Sequence, residues 1–535
     1  MVRVTLIRPS NYSGSAYLTK WGFLPAPLGI LQLAGGILRI KGSSVNVIDM
    51  EADKFKTVNQ VVDETLKFNP DVVGITLHAT AAHNTAGEIA RKIKEHKPNT
   101  VLVAGGHHAT FLPYDMLRQG FDISVLGEGD ITIIDISNAV EKGTDFSEIP
   151  GIVYKNGNKF IRTKLRPLIQ DLDSLPMPAL DLVNKDLYFF KTFGDNDTVT
   201  CIETARGCPY ACDFCSVTPT WGNKWRNKSI DRIIAELDLA KKLGYDWVFF
   251  TDDIFVVYPN VKQRMKLFEK MIEHNYNFKF IVQMRADVTS KNPELIKKGA
   301  EAGMTIAFLG IESGSQETLK KMHKGTFIPQ SVKAVEILNK YGVITLGGMM
   351  LGAPYESISD MLTTVSFSHK LADAGLDAVQ FSMYTPLPGT RIFDDAVRNN
   401  LLFTLDWDRY DILTPVMRTR VHPVITQIIQ WYGHYSFYIL KYLKGRALGK
   451  KAITTSKNKL VKNATKFIFS MFPKYLKDLS MFPAFLFKTA KLYNSKTVAI
   501  SGEKMKELLE FSGSIVYEEV GSKNPYFMIK EAEWT

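Results

Sequence analysis

Apolar residues along the first 140 positions fall in short runs, separated by longer stretches where they recur at helical spacing. The runs at 4–7, 45–48, 72–76, 101–104 and 123–126 predict strands, and the stretches at 27–39, 61–68 and 86–96 predict helices. Alternation at that interval predicts a parallel, doubly wound sheet with any ligand at the carboxyl ends of its strands. The rhythm lapses over 141–195. There residues 153–161 predict a hairpin around Asn156-Gly157, and Leu175-Pro176-Met177-Pro178 predicts a linker. From 198 it resumes, with strands predicted at 198–203, 246–251, 278–284, 304–310, 343–350 and 377–383 and a helix after most of them. Six strand–helix units make a partial (β/α) barrel. After Trp407 the pattern turns to aromatic-rich, Lys-rich helices. The expected organisation is an α/β chain: a Rossmann-like domain over 1–140, a linker over 141–195, a partial (β/α)6 barrel over 196–408 and a basic, mainly helical domain over 409–535.

Length and composition fit several globular domains: 535 residues, 45% hydrophobic and 23% charged. No uninterrupted apolar run reaches the ~18 residues of a spanning helix. The first nine residues read as a strand entering a loop rather than a secretion signal. The expected setting is the cytoplasm, with peripheral contact at the membrane surface left open. Charge changes the picture more. Residues 412–501 carry 16 Lys and Arg against one acid, Asp478, whereas residues 1–411 are nearly balanced, so the net +11 belongs to one segment. Such a segment must face something anionic or lose stability to self-repulsion. No nucleic-acid recognition motif accompanies it, so a large anionic protein, or a lipid surface, is the expected partner.

All four cysteines lie between 201 and 215, which rules out a disulfide scaffold and points to metal chemistry. Cys208, Cys212 and Cys215 form C-x3-C-x2-C in the loop after the first barrel strand, the face where barrel active sites form. Three thiolates on a tight loop can hold three irons of a 4Fe–4S cube and leave the fourth open. Zinc is the rival, but the spacing suits a closed tetrahedral site poorly and no fitting fourth ligand follows nearby. Cys201, in a β-branched strand, reads as a core residue.

With the aromatic Phe214 before its last cysteine, this motif resembles that of the radical S-adenosylmethionine superfamily. Segments further on resemble the second to sixth barrel strands of the cobalamin-dependent branch, the class B type methyltransferases. They are Phe249-Phe250-Thr251-Asp252-Asp253, Gln283-Met284-Arg285-Ala286-Asp287, Leu309-Gly310-Ile311-Glu312-Ser313-Gly314, Met350-Leu351-Gly352-Ala353-Pro354 and Thr385-Pro386-Leu387-Pro388-Gly389-Thr390. In the first domain, Gly105-Gly106-His107-His108 and Gly127-Glu128-Gly129-Asp130 resemble cobalamin-binding loops, where glycine lets the backbone approach a bulky ligand. The older D-x-H-x-x-G motif is absent, and Pro9-Ser10-Asn11-Tyr12-Ser13-Gly14 stands in its place. A cobalt-ligating histidine from that loop is therefore not expected. His78 and His83 are the histidines placed to approach the corrin's lower face.

The resemblance implies a Rossmann-like cobalamin-binding domain, a radical S-adenosylmethionine barrel, and three cofactors: a 4Fe–4S cluster, S-adenosylmethionine and cobalamin. It implies Cys208, Cys212 and Cys215 as metal ligands. For S-adenosylmethionine, Arg285 is the expected cation for its carboxylate, Glu312 with Ser313 the acceptor for its amine or ribose, and Asp252 and Asp253 the second candidates. For cobalamin the expected contacts are Ser10, Asn11, Thr76, His78, Gly105, Gly106, His108, Gly127, Glu128 and Gly129. The implied activity is methyl transfer to an unactivated sp3 carbon of a large substrate, a polypeptide residue as in the methanogen enzymes that modify methyl-coenzyme M reductase. An electron donor such as ferredoxin or flavodoxin is implied with it. Lipid or tetrapyrrole modification, including oxidative ring closure, is the alternative, since Asn11-Tyr12-Ser13-Gly14 resembles a run in anaerobic tetrapyrrole cyclases. A non-catalytic cobalamin carrier or sensor would leave the cysteine motif unexplained.

Overall fold

The computed structural model describes residues 1–10, 22–52, 57–191, 197–447, 482–494 and 500–511. The first sheet is built from Arg3–Arg8 (β1), Ser44–Asp49 (β2), Val72–Thr76 (β3), Val101–Gly105 (β4), Ile123–Val125 (β5), Ile152–Asn156 (β6) and Lys159–Arg162 (β7). Its order is β2-β1-β3-β4-β5-β6-β7. The first five strands run parallel and β6 and β7 antiparallel. The central strands are buried on both faces, as in a sheet with helices on either side, which is why they read as continuous apolar runs. Chain direction across the sheet reverses between β1 and β3, and ligands of open α/β sheets bind beside such a switch point.

Two local features depart from the sequence reading. The helix expected from 61 begins at Val58, because Thr57 and Gln60 form a reciprocal capping box that precedes the apolar stripe. The hairpin expected within a linker does form, with Asn156 opposite Lys159, but it extends the first sheet instead of standing free.

The second sheet has six parallel strands in sequential order: Val199–Ile202 (β8), Trp247–Phe250 (β9), Lys279–Arg285 (β10), Met304–Glu312 (β11), Ile344–Leu351 (β12) and Ala378–Met383 (β13). Helices such as Ile230–Lys242 and Ile358–Ala374 cover its outer face. The inner face is closed at one end by Phe23 and Phe190, whose strand pair places their rings 4.9 Å apart and against Phe249 and Trp247.

Six strands do not close a barrel, so β13 is an edge. The 25-residue helix Pro423–Ala447 seals it. Gln430 donates to the carbonyl of Phe381, His434 Nε2 accepts from the Phe381 amide, and the Tyr438 hydroxyl both accepts from the Val379 amide and donates to its carbonyl. Lys441 donates to the carbonyls of Leu376 and Asp377. Side chains four residues apart on one helical face thus take the place of a seventh strand. The opposite flank of the same helix leaves Ile425, Ile428, Tyr432, Ile439 and Leu443 exposed. Among the described residues, no helix is long and apolar enough to cross a membrane.

Candidate active site

The carboxyl ends of the two sheets face each other across a cavity of about 1000 Å³, at the upper end of small-molecule sites. Thr76, His78, Gly105, Gly106, Gly127 and Gly129 line it from the first domain, and Glu203, Thr251, Asp253, Phe308 and Gln380 from the barrel. Tyr410, Asp411, Ile412 and Leu413 close one side. The bare Cα of Gly105 faces open space, so a side chain there would enter the cavity. Gly106 has φ +95°, and a Cβ would stand 2.9 Å from the Leu77 carbonyl carbon. Only glycine fits that turn.

The cysteine loop leaves the barrel through a short antiparallel pair, Ala205–Arg206 with Arg226–Asn227. Gly207 takes φ +89°, where a Cβ would stand 2.1 Å from the Lys224 carbonyl oxygen. The loop is then pinned at both ends. The Cys208 amide donates to the Gly222 carbonyl, and the Thr218 hydroxyl donates to the carbonyl of Tyr210. Burial first raises the thiol pKa of Cys208, Cys212 and Cys215; Cys212 then raises that of Cys208, and Cys212 and Cys208 raise that of Cys215, and each is a free thiol. Ser216 and Val217, directly after Cys215, line the cavity. Three convergent thiols, Cys212 buried and Cys208 and Cys215 half-buried, next to a two-domain cavity suit a cluster with one iron open toward that space. Cys201 stays apart from this loop, on the barrel's inner face, with burial pushing its thiol up to about 12.

Around the thiols the barrel supplies a polar ring. Arg285 lies 4.0 Å from the Cys212 sulfur and 3.6 Å over the Tyr210 ring, and donates to Asp287 and to the Lys324 carbonyl. Glu312 adopts φ +66° at a β-bulge in β11, which turns its carboxylate onto Lys324 Nζ at 2.5 Å. A Cβ on Gly310 would stand 2.8 Å from both of those charged groups. Lys324 escaped the sequence reading because nothing local marks one lysine among many.

Several expected contacts lie elsewhere. Asp252 is fully buried and accepts from the amides of Thr204 and Ala205 and from Arg264. It is a strut beneath the cysteine loop, while its neighbour Asp253 faces the cavity. Burial, then Glu203 and Asp252, push the Asp253 carboxyl up to about 7. The Ser313 hydroxyl is fully buried against Thr364 and the Ser315 amide, so it shapes the turn after Glu312 and does not face a ligand. Glu128 is turned away from the cavity into a buried ion-pair group with Arg206 and Arg226, and its other oxygen accepts from the Ile169 amide. His108 also points away, toward His83 and Asp115. It is the neighbouring His107 that lines the cavity, 3.2 Å from Thr220. Ser10 follows Pro9, which lines the cavity, but is not itself part of the lining. Asn11 lies outside the described residues.

The B12 binding domain family matches residues 14–137, and the radical SAM superfamily matches residues 202–368. The chain is 32% identical over 425 residues to an uncharacterized methyltransferase of Pyrococcus horikoshii, across 78% of this chain and 88% of that protein. It is 25% identical over 429 residues to the anaerobic magnesium-protoporphyrin IX monomethyl ester cyclase of Cereibacter sphaeroides, across 78% and 67% respectively. In fold it is similar to the radical S-adenosylmethionine methyltransferase TsrM from Kitasatospora setae, solved with cobalamin and a [4Fe-4S] cluster. That likeness has a TM-score of 0.60 at 16% identity and covers 74% of this chain and 75% of that one. Cysteine motif, glycine-lined cavity and paired domains agree with these matches: the chain belongs to the cobalamin-dependent radical S-adenosylmethionine methyltransferase family, whose cofactors are a 4Fe–4S cluster, S-adenosylmethionine and cobalamin.

Proposed function

We propose that this enzyme methylates an sp3 carbon of a large substrate, with a polypeptide residue as the first candidate. One observation carries the reading: the cavity between the domains opens both to the glycine-lined ends of the first sheet and to the residues that follow the cysteine loop. When bound, the cluster with S-adenosylmethionine supplies hydrogen abstraction from an unactivated carbon, and cobalamin supplies the methyl group. A reductant of the ferredoxin or flavodoxin type would deliver the electrons that this chemistry requires.

The protein's share is placement. Cys208, Cys212 and Cys215 would hold the cluster, and Arg285 stands beside Cys212 to meet a carboxylate there. Glu312, held by Lys324, presents an acceptor for an ammonium or a ribose hydroxyl. Gly105, Gly106, Gly127 and Gly129 would leave backbone bare toward the corrin side, with Thr76 and His78 beside them. Asp253 and Glu203 are the carboxyl groups that the barrel strands bring to this cavity. Asp253, with its raised pKa, can hold a proton near neutral pH.

A lipid substrate is the second reading, favoured by the exposed apolar flank of the helix Pro423–Ala447 within the basic segment. That flank with flanking lysines has the character of a helix lying on an anionic membrane surface. Residues 448–481, which carry much of the positive charge, lie outside the described residues. The deciding experiment compares proteins and lipids of a deletion strain with those of the parent by mass spectrometry. It is paired with reconstituted turnover in which S-adenosylhomocysteine is measured. A polypeptide lacking one methyl group in the deletion strain supports the first reading. A lipid lacking one supports the second. Ring closure without S-adenosylhomocysteine would overturn both.

A further inference from the structure

Away from the cavity, three ligand-type side chains meet where the first domain touches the stretch that follows the barrel. We propose that His83, His108 and Asp115 bind a divalent first-row transition metal ion, zinc by the chemistry of the donors, which fastens that stretch to the first domain. They come from three separate elements: His83 opens the helix His83–His96, His108 lies in His107–Phe111 and Asp115 in Pro113–Arg118.

The geometry is that of donors around a common point. One ligand atom from each lies within 4.8 Å of the others. Asp115 Oδ2 is 2.9 Å from His83 Nε2 and 3.7 Å from His108 Nε2. Tetrahedral zinc with bonds of about 2.0–2.1 Å separates its ligand atoms by roughly 3.3 Å, which these two distances bracket. His83 and His108 are 3% and 0% exposed, yet Nε2 of His83 and both ring nitrogens of His108 lack a hydrogen-bond partner of acceptable geometry. Buried polar atoms are nearly always satisfied, and an ion at the common point satisfies both Nε2 atoms at once. The outer contacts are those of a held ligand set. His83 Nδ1 lies 3.1 Å from the Asn84 side-chain oxygen, and the Trp407 indole donates to Asp115 Oδ2 at 3.0 Å. Two imidazoles and a carboxylate suit zinc better than the soft, thiolate-binding ions. Water would complete the shell, since among the described residues the group comprises these three.

The position gives the ion a task. Trp407 begins the turn Trp407–Arg409, and Tyr410–Leu413 follow directly as one wall of the cofactor cavity. Asp408 adds a contact across the same seam, accepting from the Asn84 amide. Fixing Asp115 and its Trp407 partner therefore fixes that wall.

The test uses the full-length protein with its cluster reconstituted and loosely bound metal removed by dialysis against a weak chelator. Elemental analysis is expected to find about one zinc per chain in the wild type, and at least tenfold less in His108→Gln and Asp115→Asn. Zinc K-edge absorption of the wild type is expected to show only nitrogen and oxygen neighbours. Zinc misloaded on Cys208, Cys212 and Cys215 would show sulfur at about 2.3 Å instead. Wild-type protein without zinc, or with only sulfur-bound zinc, overturns the proposal even if the variants fail to fold. Undiminished zinc in folded variants overturns it too.

Discussion

Arg206 donates to Asp130 at 2.9 Å, and so a residue two positions before the first cluster cysteine grips the first turn of the helix Gly129–Lys142, after the fifth strand of the other domain. Glu203 and Glu128 complete the pairing, and Arg226 shares Glu128. Arg206, Asp130, Glu128 and Arg226 lie buried between the domains, where mutual pairing raises the Arg206 pKa and lowers that of Asp130 against the opposing effect of burial. The group sets the distance between the cysteine loop and the glycine-lined loops, which is the distance the two cofactors must keep.

Breaking that group should separate the domains' placement from their folding. Arg206→Met would leave Asp130 buried without its cation, a class of change that costs ~3–5 kcal/mol. The expected outcome is a marked loss of stability to denaturant and a weakened retention of cobalamin, with cluster iron still incorporated. Full cobalamin retention in a folded Arg206→Met protein would show that the ion pairs do not set the domain spacing.

The cysteines divide into ligands and bystander. Cys201→Ala is expected to keep about four irons per chain, the content of one cube. Cys212→Ala is expected to lose the broad visible absorption of the cluster. Iron analysis and absorption spectra of the two anaerobically reconstituted variants check this, and equal loss in both would refute it.

The helix that seals the barrel edge can be tested through the amides it covers. Tyr438→Phe leaves the Val379 amide and carbonyl without the hydroxyl that serves both. Losing a buried partner of this kind costs ~1–3 kcal/mol. Hydrogen exchange in Ala378–Met383 should accelerate in Tyr438→Phe and in Gln430→Ala, while exchange in the first sheet stays unchanged.

Asp253 gives the cofactor-free protein a pH dependence of known sign. Its folded carboxyl titrates at about 7, above the ~3.9 of an unfolded aspartate. The folded state therefore holds a proton that the unfolded state has already released. Stability from this group is fully present below pH ~4 and is lost as pH rises to about 7. Denaturation midpoints should fall across that window in the wild type and fall less in Asp253→Asn. Parallel curves would place the Asp253 carboxyl at an ordinary pKa.

Periodicity and spacing were enough for the parallel sheets, the six-stranded barrel and the cysteine loop, because each follows from local rules. Continuous apolar runs bury strands on both faces, and C-x3-C-x2-C brings three thiols together within one loop whatever surrounds it. Glycine at Gly106 and Gly207 is likewise a local demand of the backbone. Tertiary structure alone decided which way the polar side chains of the same motifs point. Gly127-Glu128-Gly129-Asp130 sends its glycines to the cavity and turns Glu128 away from it onto Arg206 and Arg226, which come from another domain, while Asp130 at the cavity edge pairs with Arg206. His107 and His108 are adjacent in sequence, yet one faces the cavity and the other faces His83 and Asp115, because successive residues of a helix point in different directions. Asp252 and Asp253 divide in the same way into strut and cavity wall. The pattern after Trp407 predicted only aromatic-rich, Lys-rich helices, whereas Gln430, His434 and Tyr438 seal an edge strand 49 to 59 residues earlier. A buried charge or hydrogen-bonding group is satisfied by whatever partner folding brings within 3 Å of it. That partner is distant in the chain, so sequence determined the kinds of chemistry present and the fold determined which residues share it.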